Sequence, residues 1–204
     1  ASKCYMMHIG RGSKSRPYMY QLCGTVLSTV TSEKYLGVYL NQDLKWTQHV
    51  DQVKAKASSK LGFIRRNLRG SPLQCKKMAY MSLVRSGMEY ASAVWDPHTK
   101  LNSDKLERIN RKAVRWIRSD YSRETSVTAL MKDLQVEPLQ TRRRIQRLAF
   151  MYKILNGEIA VPMESLDLSF NTRPVHDIDA DTQRLKTIKA KTEEYKHSFA
   201  LKTL

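Results

Sequence analysis

The chain has 204 residues, of which 41% are hydrophobic and 27% are charged. These values are ordinary for a globular protein and leave room for one or two modest domains with a core. Three widely spaced cysteines exclude a disulfide framework and argue against a zinc site, which needs closely paired ligands. The 36 basic residues exceed the 19 acidic ones, a net charge of +17 that favours nucleic acid or an anionic membrane surface as partner.

The positive charge is concentrated in the middle of the chain. Residues 41–160 contain 24 basic and 11 acidic side chains, whereas residues 161–204 contain 7 of each. No apolar run approaches the roughly 18 residues of a membrane span, and no signal peptide is visible. With the cysteine pattern, this predicts an intracellular protein of the nucleus, the cytoplasm or both. Because the first residues already resemble the middle of a strand, we expect a fragment or a processed chain.

The first 46 residues predict a small β element. Residues 3–9 are short and apolar and end at a glycine-rich turn, which indicates a strand. Residues 18–22 and 25–30 are rich in β-branched or aromatic side chains and flank Cys23-Gly24, so they predict a hairpin. Residues 35–40 predict a further strand. An element with so few strands needs an apolar partner layer to be stable.

From Thr47 onward the apolar residues recur at spacings of three and four, which predicts a helical bundle over residues 47–160. Thr47 is the candidate N-cap of the first helix. The predicted helices cover residues 47–69, 72–95, 103–118, 127–134 and 138–155. The second is expected to bury Met81, Val84, Met88, Ala91 and Trp95. The last is expected to bury Ile145, Leu148, Ala149, Tyr152 and Leu155. Residues 161–204 predict a weakly structured tail, with a loop at 172–181 and a loosely amphipathic helix at 181–197.

The third predicted helix carries a nearly pure cationic face opposite its apolar stripe. The cations of this face are Arg108, Arg111, Lys112, Arg115 and Arg118. Glu107 is the one carboxylate of this run after Asp104, so pairing between residues four apart cannot neutralise it. A phosphate backbone would relieve the repulsion between these like charges. An ordinary solvated face is the alternative interpretation.

Two other helices add positive charge, and together the three suggest a track for a nucleic-acid backbone. The first helix contributes Lys56, Lys60, Arg65 and Arg66, beside Lys54 and Arg69. The last contributes Arg142 and Arg143, beside Arg144 and Arg147. Solubility explains the last cluster equally well, and a basic amphipathic helix can also lie on a membrane. Trp95 and Trp116 lie on apolar stripes, which favours core packing over base stacking.

No catalytic constellation is recognisable in the sequence. The five histidines are scattered, and there is no Asp-Asp pair, glycine-rich phosphate loop or nucleophile motif. Asp177, Asp179 and Asp181 alternate but lack the glycine and the distal glutamate of a calcium loop, which indicates a solvated loop. Two-metal nucleotidyl transfer needs converging carboxylates. We therefore assign no catalytic residue, metal ligand or cofactor to this chain.

The order of segments resembles the region that follows the active site in reverse transcriptases of non-LTR (LINE-type) retrotransposons, the jockey-like lineage above all. The resemblance covers nearly the whole chain. Its segments are Ser2-Lys-Cys-Tyr-Met-Met6, Tyr35-Leu-Gly-Val38, Asp43-Leu-Lys-Trp46, Leu83-Val-Arg85 with Met88-Glu-Tyr-Ala91 and Trp95-Asp-Pro97, Glu107-Arg-Ile-Asn-Arg-Lys-Ala113, Pro138-Leu139 with Arg142-Arg143, and Tyr195-Lys-His-Ser-Phe199. Ser86 stands where the family usually has proline, and Asn110 where it has glutamine.

This resemblance implies an α+β protein in which a small β element, the end of a polymerase palm, precedes a mostly helical thumb-like bundle. Residues 1–46 would belong to the palm, 47–160 to the thumb and 161–204 to the tail. Tyr35, Leu36, Gly37 and Val38 would form a primer-grip hairpin against the 3′ end of the primer. The thumb would hold the backbone of RNA, DNA or an RNA–DNA hybrid.

The resemblance also implies what the chain lacks. The aspartate pair of the parent RNA-directed DNA polymerase, which would use Mg²⁺, is expected upstream of Ala1, in the rest of the palm and fingers. The chain alone is therefore expected to bind nucleic acid without polymerising DNA. The alternative is a different class of protein, a basic helical adaptor or domesticated remnant that binds protein or an anionic membrane.

Overall fold

The protein is of the α+β class, with short strands followed by a mostly helical remainder, as predicted. The structure, a computed structural model, describes residues 4–9, 18–169 and 189–203. The chain divides into two compact units, Ala1–Gln140 and Thr141–Leu204. This division differs from the predicted boundaries after residues 46 and 160. The β element shares a core with the helices that follow it, and the C-terminal residues have a small core of their own.

The strands of the first unit form three two-stranded pieces within the described residues. They are β1 (Tyr5–Met6), β2 (Gln21–Leu22), β3 (Thr25–Val26), β4 (Ser28–Thr29), β5 (Ser32–Tyr35) and β6 (Val38–Asn41). β1 pairs in parallel with β4, whereas β2 with β3 and β5 with β6 are antiparallel hairpins. The predicted hairpin at Cys23-Gly24 is thus confirmed.

A two-residue turn splits the strand that the sequence predicts over residues 35–40. Leu36 and Gly37 have φ angles of 46° and 88°, the pair of positive values that a tight hairpin turn requires. The Tyr90 hydroxyl donates a hydrogen bond to the Leu36 carbonyl at 3.0 Å, and this bond secures the turn. The prediction of one continuous strand is therefore wrong, because a tertiary contact from Tyr90 holds a turn where the residue pattern indicates a strand.

The helices of the first unit and the long helix that follows begin and end close to the predicted positions. They are α1 (Thr47–Asn67), α2 (Leu73–Ala79), a π-helical turn (Tyr80–Arg85), α3 (Ser86–Glu89), α4 (Ser92–Trp95), α5 (Lys100–Arg118), α6 (Val127–Asp133) and α7 (Leu139–Leu155). Thr47 is not the N-cap of α1, because that position belongs to Trp46. The Thr47 hydroxyl instead accepts a hydrogen bond from the Asn102 amide at 3.1 Å.

The second predicted helix is interrupted, and its buried face is shifted. The π-helical turn pairs each residue with the fifth one along, which displaces the stripe by one position. Tyr80 is fully buried, and Met81, which the spacing predicts to be buried, is 36% exposed. Val84, Met88 and Trp95 are buried as predicted. Ala91 takes a left-handed conformation that separates α3 from α4.

The core of the first unit lies chiefly between α1 and α5, which run parallel. Near their starts, the Lys105 ammonium lies 2.7 Å from the Asp51 carboxylate. Both helices bury the apolar stripes that the spacing predicts, and β6 adds one side chain to the same core. Members of this cluster are Val38, Val50, Ala57, Leu61, Ile64, Leu106, Ile109, Ala113 and Ile117.

A buried polar network joins the π-helical turn to α5 and to the start of α7. The Tyr80 hydroxyl donates to Asn110 Oδ1 at 2.6 Å, and Asn110 Nδ2 donates to Glu107 Oε1 at 2.8 Å. The other oxygen of Glu107 accepts from the Leu139 backbone N–H at 2.9 Å. Burial raises the pKa of Tyr80, so this phenol stays protonated and remains a donor.

Replacing Asn110 should expose the dependence of the fold on this network. Asn110→Ala leaves the buried Tyr80 hydroxyl without its acceptor, and we expect the free energy of unfolding to fall by about 2–3 kcal/mol. Tyr80→Phe should cost less, and the double variant should cost less than the sum of the two because they remove the same bond. Urea unfolding measures all three. Additive effects would show that the two side chains are not coupled.

His49 is a buried histidine at the junction of the β element and α1. Its Nδ1 accepts a hydrogen bond from the Tyr39 backbone N–H at 3.2 Å, and its ring meets the edge of Trp95 at 4.7 Å between centroids. Burial and, secondly, the charge of Lys56 lower the pKa of His49 from 6.5 to about 4. The imidazole is therefore neutral in the folded protein near neutral pH.

The lowered pKa of His49 makes stability depend on pH. The unfolded chain binds a proton here below pH 6.5, whereas the folded chain does so only near pH 4. The stabilisation is thus complete above pH 6.5 and is lost as the pH falls toward 4. We expect the wild type to lose more unfolding free energy than His49→Gln between pH values of about 7 and 4.5. Equal losses in parallel urea titrations would contradict this assignment.

The second unit contains most of α7, a 3₁₀ helix (Met163–Leu166), α8 (Glu193–Lys196) and α9 (Phe199–Thr203). Its small core holds Met151, Leu168 and Ala200, so the described C-terminal residues are structured. Residues 181–188 of the predicted 181–197 helix and the whole of the 172–181 loop lie outside the described residues. In the described part of that helix, only Glu193–Lys196 are helical. No helix in the described ranges has the length and apolar content that crossing a bilayer requires.

The buried side of α7 is not the one that its hydrophobic spacing predicts. Ile145, Leu148 and Tyr152 are 45%, 46% and 65% exposed. The buried positions include Arg143 and Arg147, and then Met151 and Ile154, which follow one stripe of the helix. The prediction is wrong at these three positions because it assigns every arginine of this helix to the surface, whereas Leu155 packs against the core of the second unit as predicted.

Candidate nucleic-acid interface

A concave basic surface lies where the C-terminal ends of α1 and α5 approach the start of α2. We call it the basic cleft. Its volume is about 800 Å³, and none of the described residues that line it is acidic. The lining residues are Gly62, Arg65, Arg66, Arg69, Lys76, Trp116, Ser119 and Tyr121. The cleft thus combines four cations with two aromatic rings, the two kinds of group that bind phosphates and bases.

Lys76 is the buried cation of the basic cleft. It is only 7% exposed, and its ammonium donates a hydrogen bond to the Ser119 hydroxyl at 3.1 Å. The same nitrogen lies 6.0 Å from the centroid of the Trp116 ring. Both partners are neutral, and a buried charge without an opposite charge is unfavourable. An anion in the cleft would supply the missing counter-charge.

Arg115 fixes the loop that carries Tyr121 into the basic cleft. Its guanidinium donates to the carbonyl oxygens of Asp120, Ser122 and Thr125 at 3.4, 2.7 and 3.1 Å. The Ser122 backbone N–H donates to Asp120 Oδ1 at 2.9 Å, and this bond comes first among the interactions that lower the pKa of Asp120. Tyr121 is 59% exposed although both of its chain neighbours are bonded to Arg115.

The outer face of α5 keeps three of its five predicted cations unpaired. Arg108, Arg111 and Lys112 are exposed, and no described carboxylate forms an ion pair with them. Arg118, by contrast, lies 3.2 Å from Asp133, and Arg115 is committed to its loop. The expectation of a wholly uncompensated face is therefore wrong at Arg118, because Asp133 beyond the helix pairs with it. Arg115 is instead occupied by backbone carbonyls, which are neutral.

The unpaired cations of α5 lead toward the basic cleft. Arg108, Lys112 and Trp116 follow one another at intervals of four residues, so they form a ridge with a rise of about 6 Å per step. Arg65, Arg66 and Arg69 lie at the end of the parallel helix α1 and line the same cleft. The two helices thereby bring together cations that are about 40–50 residues apart in the sequence.

Lys56 and Lys60 lie at a different place from Arg65 and Arg66. They line a smaller cleft of about 200 Å³, together with Lys34, Gly37 and Tyr90. Along a helix of 3.6 residues per turn, Lys56 and Arg65 point in opposite directions. The six basic residues of the predicted first helix, of which Arg69 lies beyond the end of α1, therefore do not form the single track that the sequence suggests.

Tyr35–Val38, the segment that resembles a primer grip, forms the tip of the β5–β6 hairpin. Tyr35 and Leu36 are 65% and 73% exposed, whereas Val38 belongs to the core. Gly37 lies against the Tyr90 ring, and a Cβ atom added there would come within 3.2 Å of it. Arg142 and Arg143 belong to the second unit, where Arg142 is half-buried and Arg143 is 1% exposed.

Two residues of the basic cleft escape the sequence analysis, namely Lys76 and Tyr121. Lys76 lies in a helix with no basic stripe, and only the approach of Ser119 and Trp116 makes it part of a site. Tyr121 follows the last cation of α5 by three residues, which is a signal that an aromatic ring lies next to a basic face. Trp116 is 5% exposed and thus packs in the core as predicted, although it also lines the cleft.

No group of three His, Cys, Asp or Glu side chains that could hold a metal ion is found among the described residues. Comparisons of the chain with models of protein families, with curated proteins and with solved structures give no match.

Removing the Arg115 guanidinium should loosen the loop that carries Tyr121. Arg115→Met keeps much of the aliphatic length but removes three hydrogen bonds to carbonyl oxygens. We expect faster amide hydrogen exchange over residues 120–125 and unchanged exchange in α1. Arg118→Met, which removes an exposed ion pair, serves as the matched control and should have a small effect. Unchanged exchange in Arg115→Met would show that the loop does not depend on this side chain.

Proposed function

We propose that this chain is the thumb end of a non-LTR retrotransposon reverse transcriptase and that it binds the backbone of an RNA–DNA hybrid. The observation that carries the proposal is a row of exposed cations on the outer face of α5, none of which forms an ion pair with a described carboxylate. These cations are Arg108, Arg111 and Lys112. Backbone phosphates are spaced along a strand and would neutralise such an extended set.

The order of family-like segments supports the same proposal from the sequence alone. In the proposed arrangement, α1 to α6 form the thumb-like bundle, and the hairpin tip at Tyr35–Val38 contacts the primer. Binding is then largely independent of sequence, because phosphate contacts position a duplex without reading its bases. The chain is a holder of nucleic acid in this proposal, and the parent polymerase supplies the carboxylates and Mg²⁺.

Neutralising the α5 cations tests the proposal directly. In the variant Arg108→Gln, Arg111→Gln, Lys112→Gln, we expect weaker binding to a hybrid of any sequence. The slope of log affinity against log salt concentration should fall by about one for each phosphate that the variant no longer neutralises. Arg118→Gln on the same helix is the matched control, since its charge is already paired with Asp133. Fluorescence anisotropy at several salt concentrations measures the slope; an unchanged slope would contradict the proposed track.

An anionic membrane surface is the second candidate partner, and the exposed apolar side of α7 favours it. Ile145, Leu148 and Tyr152 are exposed on one side of this helix, and the exposed Arg144 follows Arg143 beside them. A basic helix with an apolar face can lie in the headgroup region of a bilayer. Flotation with vesicles that contain anionic lipid separates the candidates. Vesicle binding without hybrid binding would replace the first proposal by the second.

A further inference from the structure

The shape of the basic cleft is unsuited to a duplex whose bases are stacked inside. The cleft is concave and places Trp116 and Tyr121 among its cations. A duplex offers its phosphates to such a surface but keeps the faces of its bases away from aromatic side chains. An unpaired nucleotide offers both, since its base can leave the stack and lie on an aromatic ring. Trp116 is only 5% exposed, so Tyr121 is the ring that a base can reach and that distinguishes a single strand from a duplex.

Tyr121 has the properties of a base-stacking platform. Its side chain is 59% exposed, although the carbonyls of both neighbours, Asp120 and Ser122, are bonded to Arg115. Ser119 ends α5 in the left-handed conformation, and the Asp120 N–H donates to the Arg115 carbonyl at 3.0 Å. The backbone beneath the ring is thus fixed before a ligand arrives. An exposed aromatic ring on a fixed backbone loses little conformational freedom when a base stacks on it.

Lys76 has the properties of the matching phosphate contact. An ammonium group has three donors, and Lys76 uses one on the Ser119 hydroxyl at 3.1 Å. Ser119 precedes Tyr121 by two residues, so the Lys76 ammonium lies near the backbone that carries Tyr121. Arg65, Arg66 and Arg69 line the rest of the cleft and add exposed charge to it. The cleft therefore offers one buried and three exposed cations to the phosphates on either side of a stacked base.

We infer that the basic cleft binds an unpaired nucleotide of a single strand, with its base on Tyr121 and a flanking phosphate at Lys76. This inference rests on the proposed function and deepens it: the basic cleft holds a single-stranded overhang, and the outer face of α5 holds the hybrid. The volume of the basic cleft, about 800 Å³, accommodates a nucleotide with its flanking phosphates.

Three hybrids with the same duplex test this inference. One is blunt, one carries a three-nucleotide overhang, and one carries an abasic overhang with the same number of phosphates. We expect the overhang with bases to bind about tenfold more tightly than the abasic one, the range that base–aromatic stacking supplies. Tyr121→Ala should abolish this difference and Tyr121→Phe should retain it. Tyr152→Ala, which removes a similarly exposed ring of the second unit, should change nothing.

The outcomes separate the inference from the proposed function. Equal affinity for the two overhangs, or a difference that persists in Tyr121→Ala, would overturn the inference while hybrid binding stands. Displacement of the overhang by an equal concentration of adenosine monophosphate would overturn it in favour of a free nucleotide. Failure to bind any of the three hybrids would overturn the proposed function, and the inference with it. An unchanged thermal transition of Tyr121→Ala confirms that the variant is folded.

Discussion

The packing of the first unit depends on one carboxylate that faces inward, that of Glu107. This side chain lies in the most basic stretch of the chain, yet it bonds the Asn110 amide and the Leu139 backbone N–H. Through Asn110 it reaches the buried hydroxyl of Tyr80. One acidic residue thereby connects the π-helical turn, α5 and the start of α7. Because it is used inside the fold, Glu107 does not form an ion pair with Arg111, which lies one turn further along the same helix.

Three other carboxylates of the helical bundle form ion pairs that link parts of the fold. Glu89 accepts from the Arg85 guanidinium at 2.8 Å in the interior, and Asp51 and Asp133 pair with cations at the edges of α5. These ion pairs link elements of the bundle to one another, whereas none of the carboxylates in them contacts a cation of the basic cleft. Part of the excess charge of the sequence is therefore exposed on the outer face of α5 and in the cleft at the ends of α1 and α5, where a polyanion would meet it.

The sequence predicts regular, amphipathic elements well and tertiary adjustments poorly. α1, α5 and α6 have the predicted bounds within a few residues, because a single period of 3.6 runs through each of them. The predicted burial of Met81 in the second helix is wrong, since no local pattern reveals a π-helical turn that is stabilised by a hydrogen bond from Tyr80 to Asn110. The predicted buried face of α7 is wrong where Arg143 and Arg147 are buried.

The candidate site is likewise predictable from the sequence only in part. The exposed cations Arg108, Arg111 and Lys112 follow from helical periodicity alone, as does the basic end of α1. Arg115 bonds the loop that directly follows α5, which helical periodicity does not reveal. The position of Lys76 beside Trp116 depends on a contact between helices that are distant in the chain. Such contacts are set by packing, which one sequence does not display. Periodicity therefore finds a basic face, and the fold determines which of its members are available to a ligand.

The most direct test of this account is a cross-linking map of the protein on an RNA–DNA hybrid. Ultraviolet cross-linking followed by mass spectrometry identifies the peptides that contact nucleic acid. The account predicts cross-links in residues 62–76 and 108–121, which contain the basic cleft and the α5 face. Cross-links confined to residues 141–204, or none at a salt concentration at which the hybrid is bound, would contradict it.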